Sequence, residues 1–246
     1  MIGSITFKKV VQLVVILIIT SIFSEAAFAK DFKGEIAVGS TTTSGNLDSA
    51  ALNADLKVEN KIDKFVNKAN ASFLYNKTKD DSDQDVVGQR FSIGAESLYG
   101  LSIRSYANST FAYEDDRQSG FDYRTWLTIG LGYKLLNKED LMLTLEAGPG
   151  VRHSVLDDID KTKEDEMVAR FSADFLAKFD SLTFTEKILL LSGDLDTTIT
   201  STTALEAPLS KKLAFKASLE IKNVDEPPAD NEQTDVTTKM SIAYKF

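Results

Sequence analysis

His153 is the one histidine of a 246-residue chain that has no cysteine, so catalytic or metal chemistry must pass through it or through carboxylates. Without a thiol there is no disulfide, no cysteine nucleophile and no Cys-ligated metal. A single imidazole also excludes a multi-histidine metal site. A hydrolase working at a lipid face would need His153 beside a serine, most simply two residues away on one strand. Val151 and Val155 occupy those positions, while Ser154 points to the opposite face. His153 shares its face with Leu143, Leu145, Ala147 and Val151, which makes it an interfacial residue. No enzymatic activity is expected. The other dense group is Asp80, Asp81, Asp83 and Asp85, a spacing that suggests calcium. An EF-hand template started at Asp81 puts Val86 where glycine is required and Ser92 where the bidentate glutamate is required. The group reads as a solvated acidic connection, open at most to a loosely held divalent cation. The metal remains unassigned, and no cofactor is expected.

The elements that must position these side chains follow from a period of two. Val236, Thr238, Met240, Ile242, Tyr244 and Phe246 take one face of the last segment, with Asp235, Thr237, Lys239, Ser241 and Lys245 on the other. Residues 121–134 alternate in the same way, with Tyr123, Leu127, Ile129, Leu131 and Tyr133 against Asp122, Arg124, Trp126, Thr128 and Lys134. A helix would scatter such charges around its whole circumference. The alternation predicts about twelve strands, at 32–42, 47–59, 65–77, 86–98, 102–114, 121–134, 141–153, 166–179, 182–193, 196–207, 212–224 and 234–246. Most exceed the roughly 9–11 residues that cross a bilayer as tilted strands.

The connections are asymmetric. Alternate ones are tight (60–64, 99–101, 135–140, 180–181, 208–211), whereas most of the others are longer and acidic (78–85, 115–120, 156–165, 225–233). Short turns at one end and long loops at the other mark an outer-membrane barrel. The predicted fold is all-β: a single antiparallel up-and-down transmembrane β-barrel of about twelve strands over 30–246. The aromatics Phe65, Tyr75, Phe111, Tyr113, Tyr123, Tyr133, Phe171 and Phe179 would form its interfacial girdles. Pro149, the one proline inside a strand, calls for a bulge near the outer third of strand seven.

Residues 1–29 read as a leader cleaved after Ala29. Lys8 and Lys9 form the positive region, Val10–Phe23 the apolar run, and Ala27-Phe28-Ala29 the small-residue site. Its removal takes the net charge from −9 to −10. That acidity argues against a nucleic-acid partner, and the 43% hydrophobic content against disorder.

The charge is unevenly spread. The six outer connections together carry −16, so strands and inner turns carry +6. Strand phase turns Arg90, Arg104, Arg124 and Arg170 into the lumen, where Glu96, Glu114, Glu146 and Asp174 face them. A mixed-sign lumen either lines a water channel or pairs into a plug. The outward row Ile242, Tyr244 and Phe246 resembles the C-terminal signal read by the barrel-assembly machinery.

Four stretches carry a family likeness: Ser44-Gly45-Asn46-Leu47-Asp48-Ser49, Phe121-Asp122-Tyr123-Arg124-Thr125, Leu145-Glu146-Ala147-Gly148-Pro149-Gly150-Val151-Arg152 and Asp225-Glu226-Pro227-Pro228. Together they resemble a YdiY-like family of unknown function, often labelled salt-induced outer-membrane proteins. The resemblance covers essentially all of 32–246 and implies a Gram-negative outer-membrane location. It implies no reaction, ligand or catalytic residue. The expectation is therefore a monomeric outer-membrane barrel in contact with lipid and lipopolysaccharide, working as a narrow pore with a mixed-charge lumen. The alternative is a closed structural envelope protein whose acidic outer loops bind divalent cations and lipopolysaccharide.

Overall fold

The computed structural model describes residues 32–246 apart from 45–48, 80–84, 117–118 and 229–230. The expected leader and the aspartates Asp80, Asp81 and Asp83 lie outside the described residues. Twelve strands follow one another: β1 (Phe32–Ser44), β2 (Ser49–Ile62), β3 (Phe65–Lys79), β4 (Asp85–Gly100), β5 (Ser105–Asp116) and β6 (Phe121–Asn137). β7 (Leu141–Leu156), β8 (Lys163–Lys178), β9 (Thr183–Ser192), β10 (Thr197–Pro208), β11 (Leu213–Val224) and β12 (Thr234–Lys245) complete the series. Each pairs antiparallel with its neighbours in sequence, and β1 pairs with β12 to close the ring. Closure satisfies every edge, as hydrocarbon surroundings demand.

Alternation decides the facing. On β6, Ile129 is 61% exposed and Leu131 64%, while Thr128 is 3% and Arg124 5%. Apolar side chains thus stand on the outside of the wall and polar ones inside, the reverse of a water-soluble barrel. Phe65 meets Tyr99 at 5.0 Å near the short-turn end, and Tyr113 stacks on Tyr123 at 5.7 Å near the other. Phe111 departs from the expected girdle: flanked by Ala95 and Leu127 on the neighbouring strands, it is buried.

The seam between β1 and β12 is held at its inner end by reciprocal backbone bonds, Gly34 N to Phe246 O at 2.9 Å and Phe246 N to Gly34 O at 3.0 Å. A Cβ on Gly34 would run into the Phe246 ring, so the glycine is what lets the terminal aromatic lie against the wall. Ile242, Tyr244 and Phe246 are all exposed, and Tyr244 stacks on Phe246.

Pro149 does not produce the expected bulge. It pairs in register with Ala169 of β8. On its other side the β6–β7 ladder lapses between the Thr128–Gly150 and Leu131–Ala147 pairs and resumes without a shift. The proline cannot donate, and its glycine neighbours let the two backbones stay close. A Cβ on Gly148 would collide with the Ile129 carbonyl oxygen. The register shifts of this hairpin fall at its ends, between Phe121 and Tyr123 and between Lys134 and Leu136.

Candidate functional site in the lumen

The inward face carries the charges, and those near the outer mouth reach across the barrel. Arg90 on β4 places Nη2 2.7 Å from Glu220 Oε1 on β11, with Glu114 at 3.7 Å and Asp116 at 3.8 Å. Lys222 on β11 closes on Glu114 of β5. In a ring of twelve, β5 and β11 are six places apart in either direction, so this pair is diametric. The ion pairs bridge the lumen instead of decorating one wall.

A second group sits beside it. The connection 193–196 between β9 and β10 is a tight turn, with Gly193 N bonded to Asp196 O at 3.1 Å, and it folds into the mouth. Asp196 is buried between two arginines. It receives Arg152 Nη1 at 2.9 Å and also pairs with Arg124. Arg152 Nε donates to Glu166 at 2.6 Å, and Glu166 in turn accepts the Leu195 N–H at 3.0 Å. The register shift at the start of β6 leaves Phe121 buried, with the Arg124 guanidinium 4.2 Å from its ring centre. Charges buried this fully are stable only when paired and hydrogen-bonded. Each arginine here has a carboxylate.

Further in, the pairs stay between near neighbours. Glu146 accepts Tyr106 Oη at 2.7 Å, Arg170 Nη1 at 2.7 Å and Ser172 Oγ at 3.1 Å. Lys68 bonds Glu96 at 3.0 Å, Lys216 bonds Glu35 at 3.0 Å, and Lys239 lies 3.4 Å from Asp55. Between these walls is a cavity of about 760 Å³. It reaches the inner rim at Lys33 and Lys245, and ends against Arg124, Arg152, Glu114 and Lys222. None of its described lining residues belongs to an outer connection.

The residues singled out in sequence are distributed unequally. Arg90 and Glu114 belong to the bridging group, Arg124 to the Asp196 group, Glu146 and Arg170 to one buried network, and Glu96 to the Lys68 pair. Asp174 lies 3.5 Å from Lys187, both half-exposed. Arg104 is not on a strand. β5 begins at Ser105, and Arg104 is exposed in the inner turn 101–104, where Ser102 bonds Ser105 and fixes the bend. Asp196 and Glu166 were not singled out. Glu166 shares the phase of Arg170 and opens the expected strand 166–179, so alternation already turned it inward and only its pairing went unforeseen. Asp196 opens the expected strand 196–207 in the phase of the inward Thr198 and Thr200, although β10 itself begins one residue later, at Thr197.

His153 is outward, with Nδ1 2.7 Å from Asp165 and Nε2 3.4 Å from Tyr123 Oη. It is tied into the outer aromatic girdle. In the outer connection after β7, Asp158 accepts both the Thr162 hydroxyl at 2.6 Å and the Thr162 N–H at 2.9 Å. These bonds hold the Asp158 carboxyl below its ordinary pKa.

A closed antiparallel ring, apolar outside and ion-paired inside, defines a transmembrane β-barrel of the outer-membrane kind. Residues 36–246 match the family described as "Protein of unknown function, DUF481", and the chain belongs to it. It is 26% identical over 224 residues to the uncharacterized protein YdiY of Escherichia coli (strain K12), across 90% of this chain and 86% of that protein. Among solved structures it resembles the NanC porin, with a TM-score of 0.57 at 11% identity, over 86% of this chain and 100% of that one. It also resembles the translocator domain of the autotransporter NalP from Neisseria meningitidis. There the TM-score is 0.55 at 9% identity, over 92% of this chain and 93% of that one. At such identities the likeness is one of fold.

Proposed function

We propose that the protein is a narrow channel of the Gram-negative outer membrane, non-enzymatic and monomeric, with its constriction in the outer half of the lumen. The cavity of about 760 Å³ carries this reading, because it extends from the inner rim to the bridging ion pairs and is lined by charged and polar groups along the way. Those ion pairs are part-exposed, with side-chain accessibilities of 11–22% at Arg90, Glu114, Glu220 and Lys222. Water at the constriction is what a conducting, weakly selective filter requires.

The reading includes export through the leader at 1–29 and insertion by the barrel-assembly machinery through Ile242, Tyr244 and Phe246. The acidic outer connections would face lipopolysaccharide and share divalent cations with its phosphates, since carboxylate oxygens are hard ligands.

The diametric Glu114–Lys222 pair favours a second reading, a closed envelope protein. Purified protein in planar bilayers separates the two. Stepwise conductance supports the channel. Silent insertion at high protein load supports the closed barrel.

A further inference from the structure

β9 departs from the alternation of polar and apolar residues. Ile188, Leu189, Leu190 and Leu191 follow one another, so two of these side chains face outward and two face the lumen. The inward pair, Leu189 and Leu191, lies beside Thr200 and Thr198 of β10, and all four line the cavity. On β6 the inward Trp126 joins them in the lining, flanked by Ala112 and Arg152. Thr200 pairs in turn with Lys222, and Ala112 stands two residues from Glu114. Arg152, Lys222 and Glu114 are residues against which the cavity ends. Its closed end is therefore its apolar end. Trp126 and Leu189 are only half-buried there, which leaves apolar surface that a suitable guest would cover.

The rest of the cavity carries charge of both signs. Lys68 pairs with Glu96 and Arg90 with Glu220, while Arg152, Arg170 and Lys187 meet carboxylates set just behind the lining. β3 and β4, which supply Lys68, Asn70, Ser92 and Glu96, stand six places round the ring from β9 and β10. A wall of leucine and threonine thus faces a wall of paired ions. A guest with a single charge would engage one member of a pair and leave the other without its partner, which is costly away from bulk water. A guest carrying both signs answers both members.

We infer that the lumen is a binding site for small zwitterions with an apolar side chain, the chemistry of a branched or aromatic amino acid. The side chain would rest against Trp126, Leu189 and Leu191, and the charged end would lie toward the inner mouth. The inference deepens the channel reading by naming the class of solute. Its central measurement does not depend on conduction.

Trp126 is the single tryptophan, so its emission reports what reaches the apolar end. The refolded full barrel would be titrated at neutral pH and constant ionic strength with leucine, glycine, 4-methylpentanoate and isopentylamine. The last two keep the branched chain of leucine but carry one charge, negative or positive, and glycine keeps the zwitterion without the chain. Leucine should shift the emission to shorter wavelength in a saturable way, with a midpoint at least fivefold below that of the other three. Leu189→Thr should raise that midpoint at least fivefold with heat-modifiability unchanged, whereas Leu209→Thr, in an exposed inner turn, should leave it alone. No response to leucine overturns the inference, and so does glycine, the anion or the cation matching it. A folded Leu189→Thr barrel that responds as the unaltered one does would also overturn it. The four-compound series on the unaltered barrel decides the matter by itself if the variant does not fold.

Bilayer recordings separate this site from the channel. A leucine response in a barrel that never conducts would defeat the channel and keep the site. A conducting barrel whose Trp126 ignores leucine would do the reverse.

Discussion

The two halves of the lumen use the same residue types to opposite ends. In the outer half, lysine, arginine and glutamate join β4 and β5 to β11 and tie the connection 193–196 into the mouth. In the inner half, Lys216–Glu35 and Lys245–Glu206 each join strands two places apart, and a cavity stays open between them. The difference is set by strand position around the ring. A charge whose partner is diametric must stretch across the pore, while one whose partner is nearby lies along the wall. Composition alone would describe both halves as mixed.

Both halves depend on the same seam, and the largest effect should come from breaking it. Deleting Phe246, or replacing Tyr244 with Asp, should abolish outer-membrane insertion and leave the chain to periplasmic proteolysis, as read by membrane fractionation. Normal yield of both variants would show that closure does not need the aromatic end.

The contrast between bridging and lining is sharpened next by removing the bridge. The double variant Glu114→Ala/Lys222→Ala should raise single-channel conductance at least twofold, since both partners go together and no buried charge is left behind. Removing Lys216 and Glu35 together should change it little. Equal increases would erase the distinction between the halves.

Stability offers a third comparison. Arg124→Glu leaves Asp196 without one guanidinium and adds a carboxylate beside it, a loss of about 3–5 kcal/mol for a buried pair. Lys187→Ala breaks the half-exposed pair with Asp174, worth about 0–1 kcal/mol. Heat-modifiability on gels should therefore shift strongly in the first and barely in the second, with exposed Lys61→Glu as an unaffected control. Matching shifts in all three would mean that the outer pairs carry no special weight.

The smallest effect lies beyond both halves, at Asp158. Its carboxylate form is favoured by the Thr162 bonds, so their stabilising contribution is fully present above the ordinary aspartate value of about 3.9. It is lost as pH falls through the lowered folded value. The Thr162 amide resonance should hold its position from neutral pH to about 4 and move only below that, and Asp158→Asn should remove the dependence.

Strand number, facing and closure were legible because a membrane barrel repeats one simple constraint, apolar out and polar in, along every segment. The phase that placed Arg90, Glu114, Arg124, Glu146 and Arg170 inside needed nothing more. Which charges meet was less legible. That Glu114 and Lys222 oppose each other follows from counting strands around the ring, an inference beyond the pattern of any one segment. Arg104 was misplaced because β5 begins later than its alternation suggests, at the bend that Ser102 holds. Asp196 has the inward phase of the expected strand 196–207, but its place between Arg124 and Arg152 depends on two other strands that no single segment reveals.

Pro149 has a mechanical consequence. Neighbouring strands of a barrel are joined by ladders of backbone bonds, and a pulling force applied to an anchored chain loads those ladders one hairpin at a time. Where β6 meets β7, the seam of bonds is interrupted at Ile129–Gly130 opposite Gly148–Pro149, in mid-wall. A tear running along that seam therefore needs to break two short runs in succession instead of one long one. Extraction of the barrel by a cantilever should show the β6–β7 hairpin yielding at lower force than β7–β8, whose pairing runs unbroken from Leu141–Ala177 to Val155–Lys163.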